Sequence, residues 1–373
     1  MNNCSIIIYL LLLIVITILL FIALQYQKQT SPSVQLSSAL SPSGERRTLS
    51  TTCNNGNSPQ YLSSYGPGIC YDVSNDSGVK NYQYMVQYAP LLDNRWLNDL
   101  ELYLPLMSGC GFIGRTGCQS TDTNTGSLYF SWVSHTYNQP IVSGYMSSGQ
   151  QIGQGSQRCS TFGTCCINGI TQGDYTDARS TDPNTYCMSS TACFDRGHQV
   201  PDDQISIEYG SPNQTYNMCN IGPQTSALNR GKWEHLEMVM VCIGNNTSNQ
   251  IVFDGPMTDS SGNFASAFTS KTGKFDGTPF VPEGWWKVMI LTDNNGNVQS
   301  SGFWYYLNNS SESYDPNKGE GYLGIDGFNM LSQRMGLTFP SSVTNAVLSK
   351  NQVCNTLSSF IGGSCQYNCS DVS

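Results

Sequence analysis

Apolar and polar positions divide the chain into distinct regimes. Residues 6–24 form an unbroken apolar run in which Thr17 is the only clearly polar member. Residues 25–60 show no apolar period and are rich in Ser, Thr, Gln and Pro, the composition of a flexible stalk. From about Tyr61 to Pro340, short apolar runs alternate with turn residues. Within that stretch the runs at 128–133, 250–253, 285–291 and 301–307 predict strands. Residues 144–192 are rich in Gly, Ser and Cys and read as a long loop region held by disulfides. Residues 341–373 carry Cys354, Cys365 and Cys369 and read as a stapled tail. There is no internal repeat, and no glycine-rich dinucleotide- or phosphate-binding signature.

One helix pattern stands out. Thr225 or Ser226 fits the N-cap, Leu228, Trp233, Leu236 and Met240 fall on roughly one side, and Gly244 makes a natural stop. Gly231 inside it costs about 1 kcal/mol relative to alanine, which predicts close packing there. In a regular helix Asn229, Trp233 and Glu237 share one face, with Asn229 and Glu237 about 12 Å apart along the axis. At that separation they cannot bind one ion in the same way. An ion touched by Asn229 would be supported by Glu237 through a water. His235 lies off this face and reads as structural.

Composition changes the picture in two ways. Charged residues make up 12% of the chain, against about 25% in typical globular domains, and Gly, Ser, Thr, Asn and Tyr fill the gap. That suits a loop-rich extracellular protein. The net charge of −9 lacks the basic footprint of a high-affinity nucleic-acid binder, although a bound metal ion can supply a local positive site. The length of the 6–24 run favours a membrane anchor over a cleaved signal peptide. Lys28, Arg46 and Arg47 follow the run and none precedes it, which by itself would hold the body in the cytoplasm. The cysteines argue the other way: 15 in all, with only Cys4 ahead of the run. The 14 that follow fit disulfides in an oxidising compartment better than zinc, since they lack repeated short-spaced pairs and paired histidines. Asn-X-Ser/Thr sequons at Asn75, Asn213, Asn245, Asn246, Asn308, Asn309 and Asn368 agree. The expectation is a secretory-pathway protein, extracellular or anchored with its main body outside the cytoplasm.

Candidate chemistry gathers in residues 195–237. The chain has three histidines, His135, His198 and His235, and His198 ends the string Asp195-Arg196-Gly197-His198. A neutral histidine can take a proton from water near pH 7. An arginine clamps phosphate oxygens in bidentate fashion. Oxygen donors such as Asn229 and Glu237 suit a hard divalent ion that keeps several waters. Taken singly each residue has a plainer reading: a surface turn with an internal Asp–Arg pair, a structural histidine, a solvated asparagine, a surface glutamate. Their order and spacing shift the balance toward metal-assisted phosphodiester hydrolysis.

These residues also carry a resemblance. The stretch is similar to the DNA/RNA non-specific endonucleases, the ββα-metal nucleases that include endonuclease G. The matching positions are Asp195-Arg196-Gly197-His198, Pro201, Asn220, Pro223-Gln224, Asn229, Trp233 and Glu237. Ile251 to Pro256, Val281-Pro282 with Trp286-Lys287-Val288, Phe303 to Leu307, and Gly336-Leu337-Thr338-Phe339 continue the likeness, which covers roughly residues 125–340. The resemblance implies an α+β fold, a central and mainly antiparallel sheet with flanking helices and a ββα-metal active site. On that basis residues 61–340 form the nuclease domain, after an anchor or signal peptide at 1–24 and a stalk at 25–60, and before the Cys-rich tail at 341–373. The resemblance makes His198 the general base and Asn229 the direct Mg²⁺ ligand, with Mn²⁺ as a possible substitute. Glu237 acts through water, and Arg196 and Asn220 assist at the phosphate and the site. DNA and RNA are the implied substrates and 5′-phosphates the products. The membrane is a partner only through an uncleaved N-terminal segment. The chain departs from the family pattern upstream, where a further arginine is expected; Arg179 is the first candidate and Arg158 the second. A sequon at Asn213 falls between the histidine and the helix. The acidic balance and extra cysteines leave an alternative, a nuclease-fold surface glycoprotein that binds and no longer cleaves.

Overall fold

The structure, a computed structural model, describes residues 51–52, 59–60, 82, 84–96, 99–105, 127–147, 162–163, 165, 186–189, 192–205, 212–247, 249–264, 280–309 and 316–360. The chain divides into two units. In the smaller, β1 (Thr51–Thr52) pairs antiparallel with β2 (Pro59–Gln60). The apolar run at 6–24 and most of the expected stalk lie outside the described residues. Among the described residues no helix is long and apolar enough to cross a membrane.

The larger unit is built on a seven-stranded sheet. After the short β3 (Leu91–Leu92) come β4 (Leu100–Tyr103), β5 (Tyr129–Ser134) and β6 (Gln139–Ser147). A smaller sheet follows, made of β7 (Tyr186–Ser189), β8 (Ala192–His198) and β9 (Ile221–Thr225). The chain returns to the main sheet with β10 (Gln250–Met257), β11 (Gly284–Thr292), β12 (Val298–Leu307) and β13 (Gly321–Tyr322). Strand order is β13-β12-β11-β10-β6-β5-β4, and every neighbouring pair is antiparallel. A short β14 (Leu337–Thr338) pairs with β3. Helices among the described residues include α1 (Asp202–Ile205), α2 (Trp233–Asn246), α3 (Ile325–Met335), α4 (Ser341–Thr344) and α5 (Lys350–Phe360). The fold is α+β, with a large antiparallel sheet and a few helices.

Both faces of the main sheet are covered. On one, Trp233, Leu236, Met240 and Ile243 of α2 pack on Trp285, Met289, Trp304 and Tyr306. On the other, Phe328 of α3 and Phe339 meet Phe303, Phe253 and Trp286. Alternation along β11 sends Trp285, Lys287 and Met289 to the α2 face and Trp286 to the α3 face. Strands covered on both sides read as continuous apolar runs, which is why 250–253, 285–291 and 301–307 were visible as strands.

Two expectations need correction. The region from 144 does not begin as a loop, because β6 runs on to Ser147. Its small residues have a packing reason: a Cβ at Gly144 would lie 2.5 Å from the Phe130 ring and 2.8 Å from the Phe253 ring. The chain beyond 340 is also more than a stapled tail. Ser301 N donates to Ala346 O and Leu348 N to Ser301 O, both at 2.9 Å, and Val353 of α5 joins the core beneath α2.

Candidate active site

Strand β8 carries the Asp-Arg-Gly-His string as extended backbone, not as a surface turn. It pairs with β9 in the register Asp195↔Gln224, Arg196↔Pro223, Gly197↔Gly222 and His198↔Ile221. Alternation along the strand separates Arg196 and His198 from Asp195 and Gly197. The need for glycine at 197 is steric, since a Cβ there would sit 2.3 Å from the side chain of the buried Gln224.

Arg196 and His198 share Phe162. The Arg196 guanidinium carbon lies 4.4 Å from the centre of that ring, and the His198 ring lies 5.4 Å from it. Tyr216 closes the other edge of His198 at 5.0 Å and donates its hydroxyl proton to Asp202 Oδ2 at 2.7 Å. Phe162 is held by two backbone bonds of the adjacent Gly163, from Gly163 N to Tyr216 O (2.8 Å) and from Met218 N to Gly163 O (2.9 Å). A disulfide from Cys165 to Cys219 ties the same segment down.

Asn220 has a different place from the one expected at the phosphate. It is wholly buried, and its amide is spent on backbone: Oδ1 accepts from Val200 N at 2.9 Å, while Nδ2 donates to Val200 O (2.9 Å) and Thr215 O (3.1 Å). Its own carbonyl accepts from Gln199 N at 2.9 Å. It fastens the chain that leaves His198 to the segment that re-enters β9.

Asp195 pairs with Arg230, not with its neighbour Arg196. Its buried carboxylate accepts from Arg230 Nε (2.8 Å) and Nη2 (2.9 Å), Ser226 Oγ (3.0 Å) and Asn229 Nδ2 (3.2 Å). A carboxylate only accepts, so it selects the amide nitrogen of Asn229. That leaves the amide oxygen as the atom that can face a cation. Asp195 and His198 stand three residues apart on one strand, roughly 10 Å, so β8 is the rigid link between the two groups of contacts.

The helix start corrects the straight-helix geometry. Thr225 is the cap, its Oγ1 accepting from Leu228 N at 3.3 Å. Residues Leu228–Lys232 then form a π-helical turn, with Gly231 at φ −121°, ψ −110°, before α2 begins at Trp233. A π turn inserts an extra residue into the helical repeat. Asn229 and Glu237 therefore do not share one regular face, and the 12 Å axial spacing does not apply. Gly231 is the residue at which this kink falls. The buried Lys232 pairs with Glu320, which fixes the kinked turn to the β12–β13 connection. His235 is exposed on α2.

Glu237 stands above a charge cluster that sequence reasoning did not single out. Its Oε1 lies 3.8 Å from Lys287 Nζ, which lies 3.0 Å from Asp254 Oδ2. Lys287 and Asp254 are wholly buried, while the Glu237 side chain stays 19% exposed. Burial pushes the Asp254 carboxyl up to about 7 from its usual 3.8, with Lys287 pulling the other way. Tyr145, hydrogen bonded to Gln204, is raised well above its usual value by burial and by the nearby Asp254 and Glu237 charges, so it stays a donor. Gln204 Nε2 in turn donates to Glu237 O at 2.8 Å. Only the strand register reveals this cluster, since Asp254 and Lys287 stand directly opposite on β10 and β11.

Arg179 and Arg158 lie outside the described residues. Among the described residues no group of three or more His, Cys, Asp or Glu side chains gathers as a metal cage. The oxygen donors at hand are the Asn229 amide and the partly exposed Glu237 carboxylate, a sparse hard set that fits an ion keeping most of its waters.

Residues 122–342 match a protein family described as DNA/RNA non-specific endonuclease. No curated protein matches the chain. Among solved structures, a chain from the crystal structure of an EndoG/EndoGI complex, concerned with the mechanism of EndoG inhibition, is similar at 15% identity. Its TM-score is 0.43, with 62% of this chain and 88% of that chain covered.

Proposed function

The chain belongs to the DNA/RNA non-specific endonuclease family, which spans residues 122–342 of it, and from that membership we propose a metal-dependent hydrolase that cleaves DNA and RNA phosphodiesters with His198 as general base. The observation that carries the reading is the Asp195–Asn229 bond, because it orders an oxygen ligand beside the strand that bears Arg196 and His198. Asn229 would hold Mg²⁺, or Mn²⁺ in its place, directly, and Glu237 would hold it through water. When bound, the ion neutralises charge on the phosphoryl oxygens and at the leaving oxygen.

The protein's own groups supply the rest. His198, packed between a tilted Phe162 ring and the edge-on Tyr216, takes the proton of the attacking water. Arg196, stacked on the same ring, offers its planar guanidinium to phosphate oxygens. Asn220 serves by position, holding the turn after His198. Recognition runs through the phosphate backbone and carries no base readout, and the products retain 5′-phosphates. The nuclease domain acts outside the cytoplasm, a reading supported by the Cys165–Cys219 disulfide and by the disulfide-bonded Cys242 and Cys354. Its N-terminal apolar segment serves as anchor or signal.

The test is His198→Ala in the full chain. The variant should melt as the wild type does and lose nicking of plasmid DNA and cleavage of RNA in Mg²⁺. Undiminished cleavage by His198→Ala refutes the mechanism. Chelator-insensitive inactivity of the wild type would favour the non-cleaving glycoprotein instead.

A further inference from the structure

The middle of the main sheet is a costly place for two charges. Lys287 and Asp254 are flanked on their own face by Trp285, Met289 and Val252, all buried and apolar. Removing an ion pair from water costs several kcal/mol per ion, and apolar replacements of similar volume are often neutral or stabilising. Packing alone therefore gives no reason for the pair. Its geometry gives one. The ammonium is fixed from below by Asp254 at 3.0 Å and from the side by the Trp233 ring at 4.5 Å, and it presents its charge to Glu237 at 3.8 Å. Of the three, Glu237 is the one whose side chain reaches solvent.

We propose that Lys287 is a positioning residue for Glu237, and that Asp254 is the counter-charge that keeps it there. A glutamate on a helix surface has three rotatable bonds, so a support that acts on an ion through water needs its carboxylate held. Lys287 supplies that restraint from a strand, and a strand in the sheet centre moves less than a side chain on a helix. Trp233, one turn before Glu237 on α2, takes part by bracketing the ammonium between helix and sheet. The inference rests on the proposed nuclease reading, in which Glu237 supports the cation.

The experiment compares Lys287→Met, Glu237→Gln, their double variant, and Asp254→Leu/Lys287→Met, all in the full chain. Lys287→Met should lower kcat on plasmid DNA, and weaken Mn²⁺ binding measured by calorimetry without substrate, by roughly 10–100-fold, as for lost supports of metal ligands. KM for DNA should stay unchanged. Adding Lys287→Met to Glu237→Gln should bring little further loss, since both remove one interaction. Lys287→Met alone leaves Asp254 buried without its counter-charge, so the apolar pair Asp254→Leu/Lys287→Met checks the fold: its Tm should match or exceed the wild type while its kcat stays low. Wild-type kcat and Mn²⁺ affinity in Lys287→Met, or losses that simply add in the double variant, overturn the proposal and leave the nuclease reading standing. A wild-type protein that nicks no DNA in any divalent ion overturns both.

Discussion

Asp195→Asn perturbs the site with almost no change of shape and replaces neither the proposed base nor a proposed cation ligand, although it alters the partner of Asn229. The native carboxylate accepts four hydrogen bonds, two from Arg230 and one each from Ser226 and Asn229. An amide offers one acceptor oxygen and turns a donor toward donors. The Arg230 side chain is 53% exposed, so solvent screening holds that pair to about 1 kcal/mol or less. The Asn229 and Ser226 bonds add about 1 kcal/mol each, for a loss of roughly 3 kcal/mol. In a domain of this size that corresponds to a fall in Tm of roughly 6–12 °C, which leaves the protein folded at 25 °C. Activity should fall further than stability explains. Without an acceptor-only partner the Asn229 amide no longer has one preferred orientation, and its oxygen faces the cation only part of the time. Losses of roughly 10–100-fold are the scale for such supports. Melting curves and plasmid nicking across a Mg²⁺ titration measure both effects. A variant that nicks at the wild-type rate with the wild-type Mg²⁺ requirement would show that Asp195 does not order Asn229.

Two further outcomes follow from the same structure. Asp254 has a folded-state carboxyl near 7 against an ordinary 3.8, so its contribution to stability is full below about pH 4, declines as pH rises and is lost above about pH 7. The swing is on the order of 4 kcal/mol, and urea melts from pH 4 to 8 should show a slope that Asp254→Asn flattens; an equal slope in that variant refutes the assignment. Replacing Cys165 and Cys219 with serine opens a closure of 54 residues, which by chain entropy costs about 4 kcal/mol, and frees the segment that presses Phe162 on His198 and Arg196. Lower Tm together with lower kcat is expected; a lower Tm with unchanged kcat would show that Phe162 does not position these side chains.

The features that depend on local chemistry are legible along the chain. Apolar runs marked β5, β10, β11 and β12 because strands covered on both faces lose their polar alternation. Thr225 was legible as a cap because capping needs only a hydroxyl ahead of a helix. The Asp-Arg-Gly-His string and the Asn229–Glu237 segment carried the family resemblance in their order alone. Tertiary structure decided what these residues touch. Gly231 reads as a site of close packing in a regular helix, whereas the structure puts it at the kink of a π turn that separates Asn229 from the face of Glu237. The plainer reading of the isolated string pairs Asp195 with Arg196, but strand alternation turns the two apart and gives the carboxylate to Arg230 and Asn229. Asn220 read as a site residue and is a buried clasp. Lys287 and Asp254 stand 33 positions apart in two segments that carry the resemblance, but nothing in the sequence pairs them, because only the register of β10 on β11 places one opposite the other. Local pattern reports the propensity of a segment. Which charges share a buried space is set by pairing between distant strands, and that is a property of the fold.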